Sequence, residues 1–157
     1  MKKIERKYLA HYIDASFGTG TAKYVRLGKD LEEYNIELNP DGESTKNILG
    51  ETSYNLKGYE PTGEVGTYYA YEGDELFEHL SEIVNKRATG SECETTVVDV
   101  LLNSTGTVEW AYRESVIVVP QSIGGDTAGV QIPFNINYNG SREKGTWTPG
   151  DNTFVPT

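Results

Sequence analysis

The sequence contains one cysteine, two histidines and no long hydrophobic run, and each scarcity excludes a class of protein. The lone Cys93 excludes an internal disulfide and any metal site built from several cysteines. The longest apolar run, residues 116–119, falls far short of the ~18 residues that a membrane-spanning helix needs. Residues 1–7 are basic but lead into no hydrophobic segment, so we expect no secretory signal and predict synthesis in the cytoplasm.

Sequence motifs for catalysis are missing as well. The chain has no Gly-x-Ser-x-Gly or Ser-x-x-Lys nucleophile motif, and Gly18-Thr19-Gly20 lacks the further glycine and the strand–helix setting of a dinucleotide site. His11 and His79 stand alone in sequence, and we expect them at the surface or in an interface rather than as general bases or ligands. The sequence therefore predicts a protein that is not an enzyme, with no catalytic residue, no cofactor and no metal site.

Positive charge is scarce and unevenly placed. The formal net charge is −10, and between Lys57 and Lys86 there is no Lys or Arg although seven acidic residues lie there. A surface this acidic disfavours binding to the phosphates of nucleic acid. Two interpretations remain open: an acidic surface that serves solubility, or one that lets polyanions pass without holding them.

What the sequence does contain is β-type patterning. Residues 130–138 alternate apolar and polar side chains, which predicts a half-buried strand, and Pro133 predicts that this strand lies at an edge or carries a bulge. Asn139-Gly140 predicts a tight turn, after which residues 143–148 should return antiparallel. Further strands are predicted at residues 8–14, 22–27, 34–38, 65–71, 95–102 and 108–119.

A single helix interrupts the β pattern. Between Asp74 and Ala88 the apolar residues recur at helical spacing, and Gly90 is the expected C-terminal stop. Eight or nine strands and one amphipathic helix predict one mainly β domain over residues 1–157. We expect an antiparallel β-sandwich or barrel with the α-helix packed on its outside, followed by an unpatterned C-terminal tail at residues 149–157.

Residues 39–66 have an unusual composition, with five glycines, two prolines and few large apolar residues. Asn39-Pro40-Asp41-Gly42 predicts a turn at the start of this segment. We interpret the segment as a long hairpin or loop that projects from the body as an arm, the alternative being a disordered surface loop. An arm of this kind is suited to gripping a neighbour, and its predicted interface residues are Ile48, Leu49, Tyr54, Leu56 and Tyr59.

Tyrosine is abundant, and five of the eleven tyrosines lie within 18 residues around this arm. Tyrosine forms strands well and also supplies contact area in protein interfaces. Its rings can instead stack on sugars. The alternative function is therefore a carbohydrate-binding β-sandwich module that uses the tyrosine cluster, which consists of Tyr54, Tyr59, Tyr68, Tyr69 and Tyr71.

The order of elements resembles that of a known family. A basic N-terminal strand precedes a Gly/Pro-punctuated arm, one acidic helix and then strands to the end; the most similar stretches are Asp14-Ala15-Ser16-Phe17-Gly18 and residues 113–145. In the latter, Gly124-Gly125-Asp126 is followed by Pro133-Phe134-Asn135-Ile136. This pattern is similar to the major tail tube protein of long-tailed, siphovirus-like bacteriophages or of a related phage-derived particle.

The resemblance implies a phage tail-tube-like fold and a structural role. Members of this family assemble into hexameric rings that stack as a hollow tube, with the arm reaching the neighbouring ring. The implied partners are further copies of the chain, other tail proteins such as the tape measure and the terminator, and viral DNA that passes through an electronegative lumen without specific binding. No membrane is implied. The implied location is the virion tail, made and assembled in the host bacterial cytoplasm, and no functional residue is carried over.

Overall fold

Strands dominate the computed structural model, which describes all 157 residues. There are thirteen strands and one α-helix, more strands than predicted because several are only two to four residues long. The elements are β1 (Leu9–Asp14), β2 (Tyr24–Leu27), β3 (Ile36–Glu37), β4 (Pro40–Lys46), β5 (Thr52–Tyr59), β6 (Thr62–Val65), α1 (Glu75–Lys86), β7 (Glu94–Leu102), β8 (Val108–Pro120), β9 (Gly124–Asp126), β10 (Gly129–Gln131), β11 (Phe134–Tyr138), β12 (Glu143–Thr148) and β13 (Thr153–Pro156), with 3-10 turns at Arg6–Tyr8 and Gly90–Cys93.

Nine strands form one sheet, in the order β2-β1-β7-β8-β11-β6-β3, with β12 also paired to β8 and β13 paired to β12. Every strand pair is antiparallel. The sheet curls so far that two of its ends meet: the Asn152 side-chain amide, at the turn between β12 and β13, donates to the Tyr24 carbonyl on the β2 edge at 3.3 Å. The predicted fold class, mainly antiparallel β with one helix packed against it, is confirmed.

The central strands are buried on both faces. One face of β1, β7 and β8 contributes residues such as Ile13, Val97 and Val116 to the larger core, which α1 and β11 cover. The opposite face carries a smaller core, in which Tyr12 packs against Trp147 of β12 at 4.4 Å between ring centroids. Double burial explains why residues 97–101 read as a nearly continuous apolar run rather than as an alternation.

The predicted helix is confirmed, but its end differs from the prediction. Asp74 is the N-cap, since its carboxylate accepts from the Leu76 backbone N–H at 3.1 Å, and Glu82 pairs with Lys86 at 2.8 Å. Arg87, rather than the expected Gly90, adopts the left-handed conformation that ends the helix. Gly90 instead begins the following 3-10 turn.

The pairing predicted for the Asn139-Gly140 turn is wrong. Strands β11 and β12 do not pair with each other; both bind the same edge of the thirteen-residue β8, β11 along residues 116–120 and β12 along residues 111–113. Gly140 passes so close to β8 that an added Cβ would lie 2.9 Å from that of Ser115. Gly140 is therefore needed because the chain passes close to β8. It does not have the positive φ that a tight hairpin turn requires.

Pro133 does not mark an edge strand. Strand β11 lies between β8 and β6 inside the sheet, and Pro133 falls in the gap between β10 and β11, where no ladder donor is required. Its carbonyl still accepts a hydrogen bond from the Gln121 N–H at 2.8 Å.

Three other strand boundaries differ from expectation. The strand predicted at residues 34–38 is reduced to β3, because Tyr34 turns inward to the core and Leu38 is exposed. The strand predicted at 65–71 lies earlier, as β6, and the tyrosines after it make a single bridge from Tyr69 to Gln131. The tail at 149–157 is not unpatterned, since β13 pairs with β12.

No helix in the chain combines the length and the apolar character that crossing a membrane requires.

Candidate assembly surface

Strands β4 and β5 form a hairpin that stands apart from the main sheet. They pair only with each other, and all seven residues of β4 are exposed. The turn expected at residues 39–42 is absent, because Pro40 already begins β4 and the chain reverses later, at residues 47–50. A bulge accommodates the Pro-Asp-Gly sequence, with Lys57 as the extra residue on β5. The separate sheet ends at Tyr59, and Thr62–Val65 belongs to the main sheet.

The tip of the hairpin is held rigidly. The Asn47 side-chain carbonyl accepts from the backbone N–H groups of Leu49 at 3.0 Å and Glu51 at 2.9 Å. The Gly50 N–H donates to the Asn47 carbonyl at 3.0 Å. This arrangement leaves Ile48 fully exposed and Leu49 77% exposed. The turn thus presents two adjacent apolar side chains to the solvent.

The two faces of the hairpin differ in polarity. On one face Thr45 and Ser53 share a hydrogen bond of 3.0 Å, and Lys57 lies 3.5 Å from Glu43. The other face carries Tyr54 and Leu56, both exposed.

The tyrosine ring of the apolar face is held across the strand pair. The ring of Tyr54 lies over Gly42 on the opposite strand, where any side chain would collide with it. Because Gly42 has no side chain, the Tyr54 ring can lie flat across the strand pair on the apolar face of the hairpin.

The five predicted interface residues thus fall in three places. Ile48 and Leu49 share the tip, and Tyr54 and Leu56 share the apolar face. Tyr59 lies at the base, opposite Pro40. The structure therefore brings Tyr54 and Leu56 together on one face and places the Ile48–Leu49 pair and Tyr59 at opposite ends of the hairpin.

Hydrogen bonds close the base of the hairpin into a narrow neck. The Asn39 amide donates to the Glu60 carbonyl at 3.0 Å and to Thr62 Oγ1 at 3.1 Å, and the Glu60 N–H donates back to the Leu38 carbonyl at 3.1 Å. Asn39 has a φ of 45°, which asparagine tolerates better than most residues. The neck joins the hairpin to β3 and β6 of the main sheet.

A buried polar cluster in the body escaped sequence analysis. His11 is buried rather than at the surface, and its Nδ1 lies 2.7 Å from Asp99 Oδ1 on the neighbouring strand. An Arg6 guanidinium N–H points at His11 Nε2 from 3.0 Å. Because guanidinium only donates, Nε2 must carry the lone pair and Nδ1 the proton that is donated to Asp99.

The other oxygen of Asp99 accepts from Arg142 at 3.0 Å, and Arg142 also lies 3.7 Å from Glu114. Burial, reinforced by the nearby Asp99, raises the pKa of Glu114, although Arg142 opposes the shift. Both ring nitrogens of His11 are thus hydrogen-bonded to side chains of the protein, Nε2 to Arg6 and Nδ1 to Asp99. The cluster therefore holds strands together and leaves His11 no free nitrogen for a substrate.

Two buried tyrosines complete this region. The hydroxyls of Tyr34 and Tyr138 lie 2.7 Å apart, and burial raises the pKa of both well above the ordinary value. Gly63 makes room for the Tyr34 ring, since a side chain there would collide with it. No group of three or more His, Cys, Asp and Glu side chains is placed to hold a metal ion.

The tyrosine cluster does not form one surface. Tyr54 and Tyr59 lie on the hairpin, whereas Tyr68 packs edge-on against Phe134 of the core at 5.6 Å and donates its hydroxyl proton to Asp74. Tyr71 lies beneath the Lys29 ammonium at 3.8 Å. A carbohydrate platform built from all five rings is therefore not present.

The outward face of β11 and its neighbours is acidic. Asn135 lies opposite Glu64 of β6, and their side chains alternate with the buried Phe134 and Ile136. A groove of about 570 Å³ crosses this face. Its lining contains four glutamates and no Lys or Arg; the glutamates are Glu32, Glu33, Glu37 and Glu64.

Comparison with known proteins gives a fold but no family. No protein-family model matches the sequence, and no curated protein is similar enough in sequence to count as a match. Two solved structures are similar in three dimensions. The tube-terminating cap of the anti-feeding prophage superposes with a TM-score of 0.56 at 12% identity, over 93% of both chains.

The second is the sheath/tube terminator of the PVC extracellular contractile injection system in its extended state. It superposes with a TM-score of 0.58 at 10% identity, over 93% of this chain and 99% of that one. The chain thus has a tail-tube-related fold, structurally similar to the tube-terminating proteins of phage-like contractile injection systems.

Proposed function

We propose that this chain is a structural, non-enzymatic subunit of a phage-like tail or injection particle, in which it assembles into rings and binds its neighbours through the β4–β5 hairpin. The observation that carries the proposal is the hairpin itself, a separate two-stranded sheet with an exposed apolar face and tip. It extends from a body whose fold is that of tube-terminating proteins.

The hairpin has physical reasons to need a partner. A two-stranded sheet without a covered face is only marginally stable in water. Its apolar side chains gain nothing from folding because they stay exposed, whereas burial against another protein stabilises by about 25 cal/mol per Å² of apolar surface. Its outer edges also leave backbone groups free to pair with another strand.

The proposal extends to the form of the assembly. By analogy with tail tubes, the rings are hexameric and stack into a hollow tube through which DNA passes, with the tape measure and terminator as further partners. The acidic face around Glu64 and Asn135 is the candidate lumen lining, because its groove contains no cation that would hold phosphate. The net charge of −10 supports this assignment. The corresponding location is the tail of a particle built in the bacterial cytoplasm.

A second candidate is a terminator that closes the tube as one ring. It is favoured by the two similar structures, both of which are tube terminators by name. In this case the chain would form single rings by itself and would stack only on the end of a tube made from another protein.

Electron microscopy of the purified protein at high concentration tests the proposal. We expect rings from the unaltered chain: long stacks would favour the tube subunit, and single rings the terminator. Replacing residues 41–58 by a short Gly-Ser linker should leave a folded monomer that forms neither, because the neck and body are retained. Thr45→Ala, on the polar face of the hairpin, is the matched control and should assemble normally.

A chain that stays monomeric at every concentration, with or without tubes from a related particle, would contradict the proposal. So would rings of normal yield from the variant without the hairpin.

A further inference from the structure

A second apolar surface lies on the body, between the C-terminal end of α1 and the end of β8. It is a groove of about 930 Å³, and no residue of the hairpin lines it. Val119 and Ile123 are exposed on its rim, while Ile83 is buried beneath. Eight apolar residues line it, among them Ile83, Val84, Ala88, Ile117, Val119 and Ile123.

We propose that this groove receives the hairpin tip, Ile48 and Leu49, of a second copy of the chain. The inference rests on the proposed ring assembly and adds to it the partner site. The tip offers two exposed apolar side chains on a turn already fixed by Asn47, so its binding requires little ordering. The groove offers an exposed apolar surface that the chain's own hairpin leaves empty.

Charge matches across this contact. Arg87 is the only charged residue in the lining of the groove, and its side chain has no acidic partner. Glu51 lies two residues after Leu49, and its carboxylate has no cationic partner either. Lys46 flanks the tip on the other strand, so the match requires the β5 side of the seated tip to face Arg87. In that orientation Glu51 lies against Arg87 with opposite sign, and Lys46 lies on the far side of the tip.

The size of the contact favours a repeated self-interaction. Two side chains bury far less than the roughly 800 Å² per partner of a stable pairwise interface. A single tip–groove contact is therefore weak, and it gains strength when each copy gives one tip and receives another around a closed ring. Weak contacts repeated around a ring predict ring formation that depends steeply on protein concentration.

Charge exchange tests the pairing. Glu51→Arg and Arg87→Glu should each raise the protein concentration needed for half-maximal ring formation, on the order of tenfold, because each places like charges together. The double variant Glu51→Arg/Arg87→Glu should recover most of the loss. Light scattering and electron microscopy measure the assembly, and circular dichroism checks that each variant is folded.

Apolar substitution tests the groove independently. Ile123→Asp should weaken assembly at least as much, whereas Val130→Asp should not, since Val130 is equally exposed but does not line the groove. Because both side chains are exposed in the monomer, neither change should prevent folding.

Normal assembly of Ile123→Asp and Arg87→Glu, with assembly still abolished by loss of the hairpin, would overturn the groove as acceptor and leave the proposed function standing. A double variant no better than the single ones would overturn the pairing of Glu51 with Arg87. If the groove variants Ile123→Asp and Arg87→Glu form rings normally but fail to join purified tubes from a related particle, the inference is also overturned. The groove would then bind a different tail protein rather than a second copy of this chain.

Discussion

The body and the hairpin place their apolar side chains in opposite ways. In the body, Val98, Val116 and Phe134 have no exposed surface, and no buried side-chain polar atom lacks a hydrogen-bond partner. In the hairpin, the polar residues pair with one another on one face while Tyr54 and Leu49 face the solvent. The difference indicates that the body supplies the free energy of folding, whereas the apolar surface of the hairpin remains available for association.

The largest expected effect lies in the body. Phe134→Ala should lower the free energy of unfolding by about 3–5 kcal/mol, because it removes a fully buried ring from the larger core. The matched change in the hairpin, Tyr54→Ala, should cost less than about 0.5 kcal/mol in the monomer. Urea unfolding at a concentration that keeps both variants monomeric measures the difference. Equal losses would show that the hairpin also contributes to the core.

A smaller effect should come from the buried cluster. The pKa of Glu114 is raised in the folded chain, chiefly by burial. The protonated carboxyl therefore stabilises the fold at pH values below 4.5, the ordinary pKa of the group, and this contribution is lost as the pH rises through the raised pKa. Glu114→Gln does not titrate, so its stability relative to the unaltered chain should increase from pH 4 to pH 7.

Urea unfolding of both proteins at each pH gives this difference, with the exposed Glu109→Gln as the control. A relative stability that falls over the same range would mean that Arg142, rather than burial, controls this carboxyl.

The smallest effect on folding should accompany a large effect on assembly. Ile48→Ser/Leu49→Ser should change the free energy of unfolding by less than about 0.5 kcal/mol, since both side chains are already in water. The same variant should lose ring formation, as followed by light scattering. If unfolding is affected and assembly is not, then the apolar tip belongs to the fold of the monomer.

Local patterns predicted most elements correctly because their causes are local. The helix follows from apolar residues at helical spacing and from the Asp74 cap, both of which lie within one stretch of sequence. The alternation that predicts one strand at residues 130–138 is reproduced only in β11, where Phe134, Ile136 and Tyr138 are buried. The first part of the predicted strand is separate, as β10, and Val130 there is exposed. The projecting segment was predicted from its low apolar content, since such a stretch cannot contribute much to a core.

Pairing between distant strands could not be predicted in the same way. Asn139-Gly140 has the composition of a tight turn, but the long β8 offers one edge that two successive strands can share. Likewise, His11 and Asp99 are 88 residues apart, and only the register of β1 on β7 brings them together. The turn predicted at residues 39–42 is wrong because a turn-like Pro-Asp-Gly sequence can also be extended when a bulge absorbs it.

The hydrogen-bonded neck at Asn39 and Glu60 has a consequence for how such a protein can evolve. The two chain ends that enter the hairpin are already close together, so the entropy cost of closing a longer or shorter segment there changes only slowly with its length. Segments can therefore be exchanged at this position without disturbing the sheet below. A lineage could change the neighbour that its particle recognises by replacing about twenty residues, while the rest of the subunit drifts until little sequence identity remains.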